Sequence, residues 1–599
     1  TYNGSYAWAS PVEFYDYMND YSRALTMHMR AAGSGNKSTN FRAGTVEQWM
    51  AMGMVDDVLF PNTDQFDQMF RTGGTLNQTV SASGGSDKMN FYASIGIMDQ
   101  KGLQIHNDYS RYNMRFNLDY KIRNNFKIGM KSDGQWSETT APRGSGLENA
   151  GLKYAVSGIT NKHPETGQYG GAMAYGENSA AGNVLAEYEA YRQTKSRKEF
   201  NGSAYAEWEP LKGLKLNVSY ALRYYNEFRK TIQNPLKQWN FQTNSVAREM
   251  PDNGGDGITD ANYEGHKTLF QGRISYEREV AKGHHISAMF NAAEEYWYDR
   301  QMGAWRKDRL HSSLEELNAA SASQQTNWGY SESEGLRSFM GRVNYTLFDK
   351  YLFEFMFDKY LFEFNFRSDG SSRFAKGHQW GFFPSGAIGW RISEEAFFEP
   401  LKKVVSNAKL RASYGTLGNN SGVGRYEQKE TMKTTNYIMN GNLVQGFSAS
   451  KMINQDLSWE STRVINIGFD LGLFNNQLTA ELDWYDRFTS GMIRGSSISS
   501  ILTGYDAPRV NIADLRNRGI EANITWRSKV GKLDYSVNVN ASYNVNWRNG
   551  VTTSIVDGLH WTCRSTSSTS TMHTPDWYNH GMKSTMPPIR VTIPHRATS

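Results

Sequence analysis

From Leu533 to Val545 every second residue is apolar: Leu533, Tyr535, Val537, Val539, Ala541, Tyr543 and Val545 alternate with Asp534, Ser536, Asn538, Asn540, Ser542 and Asn544. Successive side chains of a strand point to opposite faces, so this run has one apolar and one polar face. Strands of soluble proteins have a mode of about 5–6 residues, whereas a tilted strand that crosses a bilayer needs about 9–11. The same alternation marks Leu214 to Tyr224, Phe116 to Ile122, Ile286 to Ala292, Leu478 to Trp484 and Ile520 to Trp526, and the pattern persists from Tyr2 to Trp547. The expected fold class is all-β, a large antiparallel transmembrane β-barrel whose backbone groups are satisfied by neighbouring strands. One closed barrel also accommodates 599 residues, where soluble cores stop growing at about 250–300.

Connections support this reading. Pro210-Leu211-Lys212-Gly213, Lys282-Gly283-His284, Phe474-Asn475-Asn476-Gln477 and Lys529-Val530-Gly531-Lys532 read as tight hairpins, while Thr139 to Glu199, Ile232 to Gly265 and Asp299 to Gly335 read as long outer loops. Short turns on one side and long loops on the other are the asymmetry of outer-membrane barrels. Mean hydropathy is −0.65, and no apolar stretch approaches the roughly 20 residues of a membrane-spanning helix. Helical membrane proteins are excluded, whereas a barrel keeps low hydropathy because half of each strand is polar. Aromatic residues make up 13%, which suits girdles of rings at two membrane interfaces. A large soluble sandwich or propeller is the alternative, opposed by the strand lengths and the lack of a blade-length repeat.

Lys and Arg number 65 against 60 Asp and Glu, with no basic run, so no nucleic-acid partner is expected. Cys563 is the single cysteine, which excludes an internal disulfide framework. No Gly-x-Ser-x-Gly elbow, P-loop or metal-spaced His/Cys set is present, so neither catalysis nor a cofactor is expected. His284-His285 reads as a solvated or interfacial pair in a turn. Asp252-Asn253-Gly254-Gly255-Asp256-Gly257 has the oxygen ligands of a calcium loop in Asp252 and Asp256, without the spaced terminal Glu; the other reading is an ordinary polar loop tip. Ligand contact is expected from loop and lumen aromatics that stack on sugars or peptides. The candidates are Trp239, Trp297, Trp305 and Trp328, with girdle or loop packing as the alternative for each.

Three ordered blocks carry a resemblance. The first is Thr79 to Ser94, then Asp99 to Gly102 and Tyr109 to Asn113. The second comprises Gly341 to Tyr345, Arg367-Ser368-Asp369-Gly370-Ser371-Ser372-Arg373-Phe374, Trp380 to Ser385 and Gly389-Trp390-Arg391-Ile392-Ser393-Glu394-Glu395. The third comprises Leu410 to Gly415, Trp459-Glu460, Asn466 to Gly468, Trp484 to Asp486 and Asn517 to Glu521. Together they resemble the SusC/RagA family of TonB-dependent outer-membrane transporters, and Tyr2 to Tyr6 resembles the first barrel strand. The motif from Arg367 to Phe374 reads as structural: Asp369-Gly370 as a tight turn, Arg367 and Arg373 as partners of carboxylates or loop carbonyls.

The resemblance implies a location in the bacterial outer membrane, surrounded by its lipid, and a barrel of about 22 strands in the complete protein. It implies import of oligosaccharide or oligopeptide, a SusD-like surface lipoprotein as lid, and drive from TonB through a plug and TonB box. It also implies a dimer of transporter–lipoprotein pairs, and no cofactor. The plug and TonB box have no counterpart in these residues, and Thr1 opens directly in strand-like sequence. Residues 1–549 are expected to form the barrel strands and loops, and residues 550–599 an atypical tail. Phe348 to Phe355 recurs as Phe357 to Phe364, an odd offset that would swap faces between copies: either an insertion that lengthens a hairpin or an imperfectly recorded stretch. A passive porin or adhesive surface barrel would need neither plug nor TonB, and a soluble secreted carbohydrate-binding protein or enzyme is the reading from another class.

Overall fold

The computed structural model describes residues 1–12, 18–64, 67, 69–142, 156–177, 182–250, 256–281, 284–348, 358–496, 498, 501, 504–531, 533–550 and 563–565. They form two compact units. One comprises Thr1–Tyr205, Ala221–Thr268 and Trp297–Glu332; the other comprises Ala206–Tyr220, Leu269–Tyr296 and Ser333–Ser599.

The first unit opens with a meander of β1 (Tyr2–Ala9), β2 (Gly73–Gly85), β3 (Met89–Lys101), β4 (Asp108–Arg123) and β5 (Phe126–Ala141). Antiparallel register places Tyr2, Val80, Ile95, Met114 and Gly134 in one row, and Ser81, Ser94, Arg115 and Asp133 in the next row on the opposite face. Ile95 is 67% exposed and its neighbour Ser94 only 9%. A water-soluble sheet would bury the isoleucine; here the apolar face is the outer one, as a strand facing lipid requires.

Long strands continue the pattern: β7 (Tyr191–Leu211), β8 (Leu214–Gln233), β11 (Gly257–Ala281), β12 (His284–Lys307) and β13 (Gln325–Phe348), numbered after a short β6 (Tyr169–Gly170), β9 (Leu236–Asn240) and β10 (Ser245–Met250) in the connections. The supposed loops Thr139 to Glu199, Ile232 to Gly265 and Asp299 to Gly335 are therefore shorter than the sequence suggested. Pairing continues beyond the apolar band, where both faces are polar and alternation ceases to mark the strand. The connections also contain α1 (Tyr21–Ser34), α2 (Thr45–Met52) and α3 (Val184–Ala190), which the all-β expectation did not include. Among the described residues no helix is long and apolar enough to cross a membrane.

The second unit contains β14 (Asp358–Ser371), β15 (Trp380–Arg391), β16 (Val405–Asn419), the separate hairpin β17 (Met432–Met439) and β18 (Asn442–Ala449), then β19 (Glu460–Leu473), β20 (Leu478–Gly495), β21 (Arg509–Val530), β22 (Leu533–Gly550) and β23 (Cys563–Ser565). Ala412, Ile467, Trp484, Ile520 and Tyr543 share an apolar row, with Arg411, Gly468, Asp483, Glu521 and Ser542 on the other face. Phe474, Asn475 and Asn476 all have φ between 53° and 60°, which closes the β19–β20 hairpin in four residues. Gly213 turns β7 into β8 at φ 87°, and a Cβ there would strike the carbonyl of Glu277.

Of the duplicated segment, the second copy lies in a strand. β13 ends at Phe348, and the second copy carries β14, with Val343 paired to Phe364 and Tyr345 to Phe362. Residues 349–357, most of the first copy, lie outside the described residues, as does the tail apart from β23, whose Ser565 pairs with Asn546.

Candidate functional site

In the first unit the long connections fold into a layer of their own. Asp20 caps α1, accepting from the amide of Arg23 at 3.1 Å. Tyr21 and Leu25, one turn apart, bury against Trp49, Met173 and Ala174. The Tyr21 hydroxyl donates to the Glu177 carboxylate; burial, then the charge of Glu177, pushes its pKa far up and keeps it a donor. Buried Asn183 supplies the polar centre. Its Nδ2 donates to the carbonyls of Thr160 (3.1 Å), Asn161 (2.6 Å) and Gly170 (3.1 Å), and its Oδ1 caps α3 through Ala186 at 3.0 Å. One buried amide thus ties three segments together, as buried polar groups must be satisfied.

Trp239 belongs to this layer, on β9, paired with Val246 of β10 and with Gly170 of β6. The other three candidates lie in the same unit: Trp297 and Trp305 on β12, Trp328 on β13. Positions 297, 301, 303 and 305 share one face of β12 by alternation. The ring of Trp328 covers Gly303, where a Cβ would overlap it, and the Tyr330 hydroxyl donates to Gln301 Oε1 at 3.0 Å. Trp305 lies elsewhere, its indole Nε1 against Gly257 of β11. Trp297 stands apart, with Lys267 Nζ 4.4 Å from its ring centroid. A cleft of about 860 Å³ is lined by Asp260, Tyr298, Arg300, Gln301, Trp328 and Tyr330 among others. It mixes rings with donors and acceptors, as recognition of polar, partly apolar ligands requires. Asp260, Gln301 and Tyr330 were not singled out from sequence; the Gln301, Gly303, Trp305 alternation was the signal available.

The polar faces carry matched charges. In the first unit Arg197 bonds Glu199 (3.1 Å) and Glu227 (3.2 Å), Arg223 bonds Glu199 (2.8 Å) and Arg229 bonds Glu227 (2.7 Å). In the second, Arg411 bonds Asp470 at 2.9 Å and Asp483 at 2.8 Å. Such charge-paired ladders hold the polar wall rigid.

The block from Arg367 to Phe374 is a clamp. Asp369 and Gly370 are strand residues paired with Ser338 and Arg337, not the turn expected from an Asp-Gly pair, because the ladder on both sides holds them extended. Arg367 Nε donates to Asp369 Oδ2 at 2.6 Å, and Ser338 Oγ to Asp369 Oδ1 at 2.5 Å. Arg373 reaches Glu334 (2.6 Å) and the carbonyl of Val423 (2.7 Å). Ser371 Oγ accepts from Asn420 (3.0 Å), and the carbonyl of Ser372 from Gln428 (2.6 Å). Phe374, 1% exposed, packs with Val423, Leu457 and Ile493. The block therefore fastens the 420–459 connection to the strands. Trp390 donates to Glu395 at 2.9 Å.

Of the calcium-loop pair, Asp252 lies outside the described residues, and Asp256 accepts from the buried Arg309 guanidinium. His284 Nδ1 is 2.6 Å from the Tyr345 hydroxyl and His285 Nε2 3.3 Å from Glu277. Among the described residues no group of three or more His, Cys, Asp or Glu is placed to hold a metal.

Residues 136–577 match the family model described as TonB dependent receptor-like, beta-barrel. The chain is 26% identical over 596 residues to the TonB-dependent receptor SusC of Bacteroides thetaiotaomicron, covering 93% of this chain and 53% of SusC. It is 25% identical over 473 residues to the TonB-dependent receptor P26 of Formosa agariphila, covering 78% and 45%. The chain spans about half the length of these curated relatives. The structure of the RagAB peptide transporter superposes with a TM-score of 0.71 at 22% identity, covering 92% of this chain and 61% of that one. The antiparallel transmembrane β-barrel is therefore the fold of this chain.

Proposed function

Because the chain belongs to the family of TonB-dependent receptor-like β-barrels, and within it to the SusC/RagA relatives, we propose that it is the barrel of an active outer-membrane importer. Its cargo is oligosaccharide or oligopeptide, moved without covalent change. Its partners are a SusD-like surface lipoprotein that acts as a lid and a TonB that works through a plug; transporter and lipoprotein assemble as a dimer of pairs. Residues 1–549 supply the barrel wall and loops, and residues 550–599 are set apart as a tail. The carrying observation is the match over residues 136–577, joined to strands whose exposed face is apolar and whose other face is polar.

The test is uptake in the native host with the chromosomal copy deleted and restored. Labelled oligosaccharide and oligopeptide mixtures are offered with and without a protonophore. Import through this protein predicts surface binding that survives the protonophore and accumulation that does not. Accumulation indifferent to the protonophore would make the barrel a passive pore. Trp328→Ala is expected to weaken capture about tenfold, roughly the 1.4 kcal/mol of lost ring stacking, while Trp239→Ala lowers stability instead, because Trp239 sits on β9 within the paired strands of the loop layer.

A further inference from the structure

On β19 the outward face reads Leu473, Leu471, Phe469, Ile467 and Ile465, then Arg463. On β21 it reads Trp526, Ile524, Ala522 and Ile520, then Arg518 and Arg516; on β20, Leu478, Ala480, Leu482 and Trp484, then Asp486 and Phe488. The apolar stripe thus stops within one row of the same level on three adjacent strands, Ile465 being level with Asp486 and Arg518. The eight residue steps from Leu473 to Ile465 span about 26 Å along the strand at about 3.3 Å each, or roughly 20 Å along the membrane normal at a tilt of about 40°. That is close to the roughly 25 Å apolar band of such barrels. The charged groups begin where hydrocarbon ends.

Register then makes a row of Arg463, Phe488, Arg516 and Trp547, with Asp486, Arg518 and Val545 in the row below. The Arg463 guanidinium lies 5.7 Å from the Phe488 ring centroid and that of Arg518 5.8 Å from Trp547. Asp486, 5% exposed, holds Arg516 at 2.9 and 2.5 Å and Arg518 at 3.2 Å. The side chains of Arg516 and Arg518 nonetheless stay 37% and 42% exposed, and Arg518 Nε has no hydrogen-bond partner. Each guanidinium has five donors, so one shared carboxylate leaves several unused. A cleft of about 310 Å³ lies among Phe488, Asp514, Arg516, Arg518 and Trp547. Three arginines face two carboxylates, Asp486 and Asp514, and Asp514 is engaged by the amide of Gly491 at 3.1 Å.

The other end of β19 turns into β20 through four residues, whereas the arginine end leads into the 420–459 connection. Long connections mark the extracellular side, so the arginine row lies at the outer leaflet. It faces lipid rather than the polar side on which cargo travels. We propose that Arg463, Arg516 and Arg518 form a binding site for the phosphate of an outer-leaflet lipid headgroup, with Phe488 and Trp547 as the rings beside it. Guanidinium forks match phosphate oxygens, and rings at this depth suit the boundary between headgroup and hydrocarbon. Asp486 presets two of the forks. The inference rests on the outer-membrane reading given above.

The experiment uses the full native complex, extracted from outer membranes and placed in phosphatidylcholine nanodiscs. The discs are doped with bis-phosphorylated lipid A or its dephosphorylated counterpart, and native mass spectrometry counts retained lipid. Wild type should retain the phosphorylated form about tenfold better. Arg463→Gln should reduce that preference several-fold. The triple variant Arg516→Gln/Arg518→Gln/Asp486→Asn, which leaves no buried charge unpaired, should abolish it. Arg487→Gln, on the polar face of β20, should leave it unchanged. Equal retention of both lipids by wild type, or a preference that survives the triple variant, overturns the assignment. Displacement by an equal concentration of inorganic phosphate would make the site one for the free ion and overturn the lipid assignment. Recovery of each variant as a heat-modifiable species in the outer-membrane fraction reports separately on the barrel reading.

Discussion

Glu395 accepts from the Tyr360 hydroxyl at 2.6 Å and Trp390 Nε1 at 2.9 Å, and pairs with Lys359 Nζ at 2.7 Å. It lies in the short connection between β15 and β16, beyond the membrane span. The Lys359 bond first, then that from Tyr360, lowers its pKa from 4.5 to about 2. A carboxylate depressed in the folded state contributes stability that is full above its unfolded value and fades as pH falls through the folded one. Glu395→Gln should therefore melt lower at neutral pH, by about 2 kcal/mol for bonds to a charged acceptor, and the gap should close between pH 4.5 and about 2. Thermal melts of both proteins across that range check it; a gap independent of pH would mean that the charge is not what anchors the turn. Trp390 was visible in the sequence as part of a family block. Glu395 closes the same block, but the bond between them was not legible, because Glu395 meets Tyr360 and Trp390 only once β14 and β15 pair at that register. Arg373 and Phe374 are similar: their block was recognisable, but the Val423, Leu457 and Ile493 wall around Phe374 comes from distant segments.

At the level of the element, strands were legible wherever lipid imposes alternation. Leu533 to Val545 was read from sequence as a two-faced strand and is the body of β22. Legibility failed at strand ends. β11 and β12 run 25 and 24 residues, and their outer parts mix Asn262, Glu264, Arg300 and Gln301 on both faces, so nothing periodic separates them from loop. α1 carried a local signal, Asp20 ahead of Tyr21 and Leu25, that a search for period-two alternation passes over. The two faces predict opposite tolerance to charge. Leu482 lies mid-band on the exposed apolar face, in register with Phe469 and Ala522. Leu482→Arg should cost about 2–4 kcal/mol at that depth, whereas Ser542→Arg, on the polar face in register with Glu521, should stay within about 0.5 kcal/mol. Denaturant unfolding of reconstituted protein measures both, and equal costs would contradict the assignment of faces.

For the whole molecule the decisive property is which end faces outward, because the proposed lipid site takes its leaflet from it. Connection length sets the side: four residues join β19 to β20, while forty separate Asn419 from Glu460 and include the β17–β18 hairpin. Two asparagines in turns, Asn440 at φ 53° and Asn475 at φ 55°, sample the two kinds of connection with comparable backbone geometry. In a Cys563→Ser background, Asn440→Cys should react on intact cells with a membrane-impermeant maleimide, Asn475→Cys should react only after lysis, and both should react equally in detergent. The reverse pattern would turn the barrel over. It would place Arg463, Arg516 and Arg518 at the inner leaflet, where bis-phosphorylated lipid A is not the available headgroup, so the lipid assignment would fall. The expected pattern leaves that assignment to stand on its own test.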